Sequence, residues 1–242
     1  MVNIDTVYQR VLALANKEQR GYITPQDFNL FANQAQMEIF EQYFYDINLA
    51  RKTQGNDTVY ADVDDMLEEK LQVFEKIDFP SSWGVGSLSA SRIIPDYVYR
   101  IDVIYYYING DAHLCEILNW KDYIHARNGA GYLIQPTPQR PIAAREGNQL
   151  VVSDTNYSHI TDSVQVHFFK KPDEVNWGYI VMNNKAMYNQ GGGTVHFELH
   201  PSEEPQLVNK ILKLAGIAIQ QPDIMTAGQG MDMATIQQQP KI

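Results

Sequence analysis

A long apolar stripe that opens on a helix-start signal constrains this chain more than any other feature. Thr24-Pro25-Gln26-Asp27 supplies a capping residue, a proline suited to the first helical position and an acid suited to the positive end of the helix dipole. Phe28, Phe31, Ala32, Ala35, Ile39, Phe40, Tyr43, Phe44 and Ile47 then recur at helical spacing. The pattern predicts a helix of about six turns with a wide aromatic face. Such a face cannot stay in water, so other elements must cover it.

Sequence-near partners are present. Ile4, Val7, Tyr8, Val11, Leu12 and Leu14 predict a first helix with Asp5 near its start, and Lys17 to Tyr22, with Gly21, reads as a connector. Polar Thr53 to Thr58, with Gly55 and Asn56, stops the long helix. A third helix is expected from Tyr60 to Ile77, with Val63, Met66, Leu67, Leu71 and Phe74 on its apolar face. Asp64, Asp65, Glu68 and Glu69 mark its solvated face. Far downstream, Pro201 to Pro205 opens a last helix, which Pro222 ends. Its residues Leu207, Val208, Ile211, Leu212, Leu214, Ala215, Ile217 and Ala218 are apolar enough to be largely buried against the N-terminal helices.

Between these helices the grammar changes. Phe79 to Ser91 reads as a loop, and β-branched and aromatic residues dominate from Ile93 onward. Val98–Ile108 and Ala112–Leu118 flank Asn109-Gly110, the strongest short hairpin signal. Trp120 to Ala126 predicts a short helix capped by Asn119, and Gln135 to Pro141 is irregular. Ala143–Arg145 and Leu150–Ser153 pair across Glu146 to Gln149, and Ser163 to Lys170 alternates Val164, Val166 and Phe168 with polar residues. Val175 to His200 predicts a long exposed hairpin, with turns at Asn183-Asn184 and Gly191-Gly192-Gly193. The expected fold class is α+β: a helical bundle of residues 1–78 and 201–222 with an inserted antiparallel β-domain of residues 79–200, whose long hairpin spans about 175–200. An extended C-terminal arm occupies residues 223–242.

Composition excludes several classes. With 44% hydrophobic and 20% charged residues, a packed core is expected. A net charge of -10 argues against a sequence-reading nucleic-acid binder. The 15 tyrosines suit either protein contacts or ordinary sheet positions. One cysteine, Cys115, builds neither a disulfide framework nor a cysteine-rich zinc site, and it is expected to act as a small buried hydrophobe. Neither a signal-peptide pattern nor an apolar run of about 20 residues is present, so a soluble chain folded in the cytosol is expected.

No catalytic set stands out in the sequence, and no enzyme, cofactor or metal is expected. His196, Glu198 and His200 share one face if their segment is a strand, but the two imidazoles then stand about 13 Å apart, too far for one ion. Gly191-Gly192-Gly193 lacks the Lys-Ser/Thr pair and helix of a phosphate loop, and Gly84-Val85-Gly86 lacks a strand–turn–helix frame. The residues expected to make assembly contacts are Tyr179, Val181 and Met182 on the hairpin, and Met225, Met231, Met233 and Ile236 on the arm.

The run from Asp5 to Asn29, and His200-Pro201-Ser202-Glu203 leading into Leu207 to Ile217, resemble virion proteins of tailed bacteriophages, including crAss-like and related marine phages. The layout of helices, inserted β-domain and returning helix resembles head-to-tail connector subunits of the adaptor, ring or tail tubular protein A kind. The likeness covers the two ends, roughly a third of the chain. It implies a homo-oligomer in a dodecameric ring below the portal protein, in contact with other connector or tail proteins. Double-stranded DNA would pass through the lumen without specific binding, and an acidic wall would keep phosphate from sticking. It implies assembly without catalysis, in the virion at the head–tail junction or tail, after synthesis in the host cytoplasm, and no membrane. Two alternatives stay open: another tail, hub or capsid-associated virion protein, or a carbohydrate- or receptor-binding tail module with Trp83, Trp120 and Trp177 as stacking platforms.

Overall fold

The computed structural model describes residues 1–16, 23–52, 58–86, 91–108, 110–128, 135–154, 163–183 and 185–218, with 230 and 233. The fold is α+β. The helices are α1 (Ile4–Asn16), α2 (Pro25–Lys52), α3 (Thr58–Gln72), α4 (Trp120–Asn128) and α5 (Glu204–Ala218). The strands are β1 (Glu75–Asp78), β2 (Arg92–Ile93), β3 (Val98–Ile108), β4 (Asp111–Leu114), β5 (Glu116–Leu118), β6 (Ile142–Glu146), β7 (Gln149–Ser153), β8 (Val164–Lys170), β9 (Tyr179–Met182) and β10 (Lys185–Tyr188). Met1–Val73 with Pro172–Ile242 forms one compact unit, and Phe74–Lys171 forms another. Sequence reading assigned residues 79–200 to the β-domain, whereas the segment from Pro172 to His200 groups with the helices.

In the first unit, α2 starts as its sequence dictates. The Asp27 N–H donates to Thr24 Oγ1 at 3.1 Å, and the Thr24 hydroxyl donates back to the Asp27 carboxylate at 2.6 Å. Asn3 caps α1 by accepting from the Asp5 N–H at 2.9 Å. Phe28, Ala32, Ala35, Ile39, Phe40, Tyr43 and Ile47 of α2 are buried, whereas Phe31 and Phe44 are only half-buried. Helix α2 packs against α3 and α5, and α1 packs against α5. Leu207, Val208, Ile211, Leu212 and Ala215 supply the buried face of α5.

Helix α3 is shorter than expected. It stops at Gln72, and Glu75–Asp78 becomes an edge strand paired with β8. Phe74 and Ile77 continued a helical spacing by coincidence, and tertiary strand pairing overrides so weak a local preference. Met66, expected on the apolar face, is exposed.

The second unit stacks two sheets and a helix. One sheet has the order β1-β8-β3-β4, the other β2-β7-β6-β5. Ile104, Val164, Val166 and Phe168 of the first sheet meet Ala143, Leu150 and Val152 of the second in one core, with Trp83, Ile94, Val98 and Cys115. Helix α4 closes the opposite side of the second sheet, where Tyr123 and Ala126 pack on Ile142, Ala144 and Val151. Strands β6 and β7 are thus covered on both faces, which is why their residues read as a continuous apolar run.

The hairpin at 109–110 forms, but its second strand is interrupted. Asn109 lies outside the described residues. Gly110 has φ +97°, a value that side chains with a Cβ resist. Cys115 drops into the core after β4, and the chain passes to the other sheet as β5. Strand β5 then pairs with β6 in parallel, with α4 as the crossover, so the expected all-antiparallel domain is corrected at this one pair. Asp78 ties the loop after β1 to the sheet. It accepts from Trp83 Nε1 at 2.9 Å, the Tyr97 hydroxyl at 2.9 Å, the Phe79 N–H at 2.8 Å and the Ser82 hydroxyl at 3.2 Å. Burial alone would raise its carboxyl, but these donors outweigh burial and hold it below the ordinary value.

Candidate assembly surface

The segment that returns from the second unit is received by a ladder of amides on α2. Asn29, Asn33 and Gln36 stand at i, i+4 and i+7 and so share one face. Asn29 Oδ1 accepts from the Trp177 N–H at 2.8 Å, and its Nδ2 donates to Asn176 Oδ1 at 2.8 Å. Asn33 accepts from the Val175 N–H at 2.8 Å and donates to the Val175 carbonyl at 3.0 Å, as a neighbouring strand would. Gln36, 2% exposed, donates to the Asp173 carbonyl at 2.9 Å and accepts from the Glu198 N–H at 3.2 Å. The chain therefore lies extended along a helix, with the N–H groups of Val175 and Trp177 and the carbonyls of Asp173 and Val175 paired to the amides. Sequence reading missed this; the signal was three amides at helical spacing beside the apolar stripe.

Trp177 anchors the next step. It is 2% exposed, donates from Nε1 to Asp5 at 3.0 Å, and lies against Tyr8 with ring centroids 4.0 Å apart. Tyr179 and Tyr188 pack on it at 5.8 and 5.9 Å. At Gly178 a Cβ would meet Thr194 Oγ1 at 2.6 Å and the carbonyls of Asn189 and Gly192 at 2.9 Å, so only glycine fits. From this base β9 and β10 project as a two-stranded ribbon, in register from Tyr179↔Tyr188 to Met182↔Lys185. Asn183 turns the chain at φ +49°, a left-handed conformation that asparagine tolerates. Below the ribbon, Asn176 bridges Val195, and Val2 bridges Phe197.

The ribbon leaves large apolar groups in water: Ile180 at 45%, Val181 at 66%, Met182 at 53% and Met187 at 52% exposed. Val181 and Met182, expected as contacts, lie on this surface, but Tyr179 is half-buried at its base. Met233, the described member of the arm set, is 65% exposed. Met225, Met231 and Ile236 lie outside the described residues, as do the connector at 17–22, the stop at 53–57 and Pro222.

The three residues weighed for metal have structural partners instead. His196 Nδ1 accepts from the Ile4 N–H at 3.3 Å, Glu198 accepts from the Asp173 N–H at 2.9 Å, and His200 caps the turn before α5 by accepting from the Ser202 N–H at 3.3 Å. Among the described residues no cluster of ligating side chains could hold a metal. Trp83 at 5% and Trp177 at 2% exposure have no ring face free for a sugar, which corrects that part of the carbohydrate alternative. Cys115 is buried, and burial pushes its thiol up to about 12, away from thiolate chemistry.

Two polar groupings remain. In the second unit a shallow cleft is lined by Glu116, Asp122, His125 and Arg140, and Arg140 pairs with Glu116 at 3.0 Å. In the first unit Lys70 of α3 reaches Glu203, 4% exposed, at 2.6 Å, and lies 5.8 Å from the Tyr43 ring centre. Burial, then the charge of Glu203, pushes the Tyr43 phenol far above its ordinary value. Burial also raises Asp46, against the lowering effects of its bond from Gln42 and of Lys70. Among the described residues, no helix is long and apolar enough to cross a membrane. No protein-family model matches the chain, and no curated protein matches it either.

Proposed function

We propose that the chain is a structural subunit of a tailed-phage virion, assembling without catalysis into a dodecameric ring of the head-to-tail connector below the portal. The observation that carries this reading is the ribbon: four large apolar side chains held out in water on a base of aromatic packing and amide hydrogen bonds. Exposed apolar surface on a rigid support is what a subunit needs if its burial is completed by neighbours. The resemblance of the two chain ends to phage virion proteins supplies the setting. In this reading α1, α2, α3 and α5 form the bundle that anchors each subunit, and the net charge of -10 keeps passing DNA from binding.

Native mass spectrometry of the protein, alone and mixed with a candidate portal protein, tests this. A closed ring or a portal-bound ring is the expected result. A chain that ignores the portal under every salt condition removes the connector placement and leaves another tail, hub or capsid position as the second reading.

A further inference from the structure

We propose that the β9–β10 ribbon of one subunit docks on the outer face of α3 in a second copy of this chain. The inference rests on the assembly reading above and names the surface that receives the ribbon. Two strands alone are marginal in water, and this pair buries neither of its faces beyond its aromatic base. Its charge is distinctive. Between Glu174 and Glu198 the chain carries no acidic residue and one cation, Lys185, in a protein whose 29 acidic residues outnumber 19 basic ones. An apolar, cationic tip on an acidic molecule fits an apolar face ringed by acids.

Helix α3 offers that face. Met66 and Glu69 stand one turn apart on α3, Met66 is 58% exposed, exposed Asp65 lies beside it, and Val73, 38% exposed, follows in the turn that ends the helix. From Met66 to the end of α3 at Gln72 the helix runs about 9 Å, close to the roughly 10 Å that a four-residue strand spans between its end residues. Ile180, Met182 and Met187 share one face of the ribbon with Lys185, as their cross-strand pairing requires. Laid on α3, the three apolar side chains cover Met66 and Val73, and Lys185 meets Asp65 and Glu69. Donor and acceptor surfaces differ, so the contact is head-to-tail and each subunit both gives and receives one.

Sedimentation velocity on the full chain at low salt tests this, with circular dichroism to verify folding. The wild type is expected to self-associate. Met187→Asp places a charge in the apolar contact and is expected to weaken association about 30-fold. Lys185→Glu and Glu69→Lys are each expected to weaken it about fivefold, and the double variant to regain most of the loss. A wild type that stays monomeric at about 100 µM, far above micromolar dissociation constants, overturns the proposal. So does an oligomer indifferent to Met187→Asp, or a double variant no better than the singles. A monomer that still forms rings on the portal would overturn this contact and leave the connector reading standing. An oligomer that ignores the portal but shows the charge-swap rescue would do the reverse.

Discussion

Two hairpins of nearly equal length meet opposite fates in this molecule. Strands β6 and β7 bury Ile142, Ala143, Ala144, Leu150, Val151 and Val152 to 5% exposure or less, because alternate residues feed two different cores. Strands β9 and β10 are also mostly apolar, with Ile180, Val181, Met182, Ala186 and Met187, yet Val181 stands 66% exposed. Local composition is similar, and what differs is whether a layer lies above each face. An apolar strand therefore does not decide its own burial; the layers that the rest of the fold supplies do.

Val152→Asp puts an unpaired charge into the core between the sheets and is expected to cost about 4 kcal/mol or more, unfolding the second unit in a urea titration. Trp177→Ala empties the ribbon's base and is expected to cost about 3–5 kcal/mol, lowering the melting temperature of the first unit. Asp78→Asn weakens four hydrogen bonds and is expected to cost about 2 kcal/mol at neutral pH. The Asp78 carboxyl is held below its unfolded value, so its stabilisation is present above that value and fades as pH falls through the folded one. The variant should therefore lose less stability on acidification than the wild type. Val181→Asp, at the ribbon's tip, is expected to change folding stability by less than about 0.5 kcal/mol. A large loss there would mean that the ribbon already has an intramolecular cover.

Much of the helical framework was legible because it is written in local rules. Thr24-Pro25 and the spacing from Phe28 to Ile47 specify α2 without reference to anything distant. Asn183 and Gly110 likewise mark turns through backbone conformations that few residues accept. What escaped the sequence depends on distant partners. Glu75 to Asp78 carries three charges in four residues and becomes a strand only because β8 offers it an edge. The change of sheet at Cys115 is decided by the core into which that side chain falls. The division of Pro172 to His200 from the β-unit follows from Asn29, Asn33 and Gln36, whose role appears only once an extended chain lies across them. Val181 and Met182 could be picked out as exposed apolar residues because they sit next to a turn, but no pattern in the sequence places Tyr179 against Trp177.

The amide ladder also sets how the ribbon carries load. Tension along the extended segment from Asp173 to Trp177 strains the bonds from Asn29, Asn33 and Gln36 together, because they lie side by side along one line of pull. A force that peels the segment away from α2 meets the same bonds one after another, and each must hold alone. The attachment is therefore stiff in shear and compliant in peeling. A neighbour that tugs the ribbon lengthwise is resisted by all three amides, and one that levers it sideways starts a zipper.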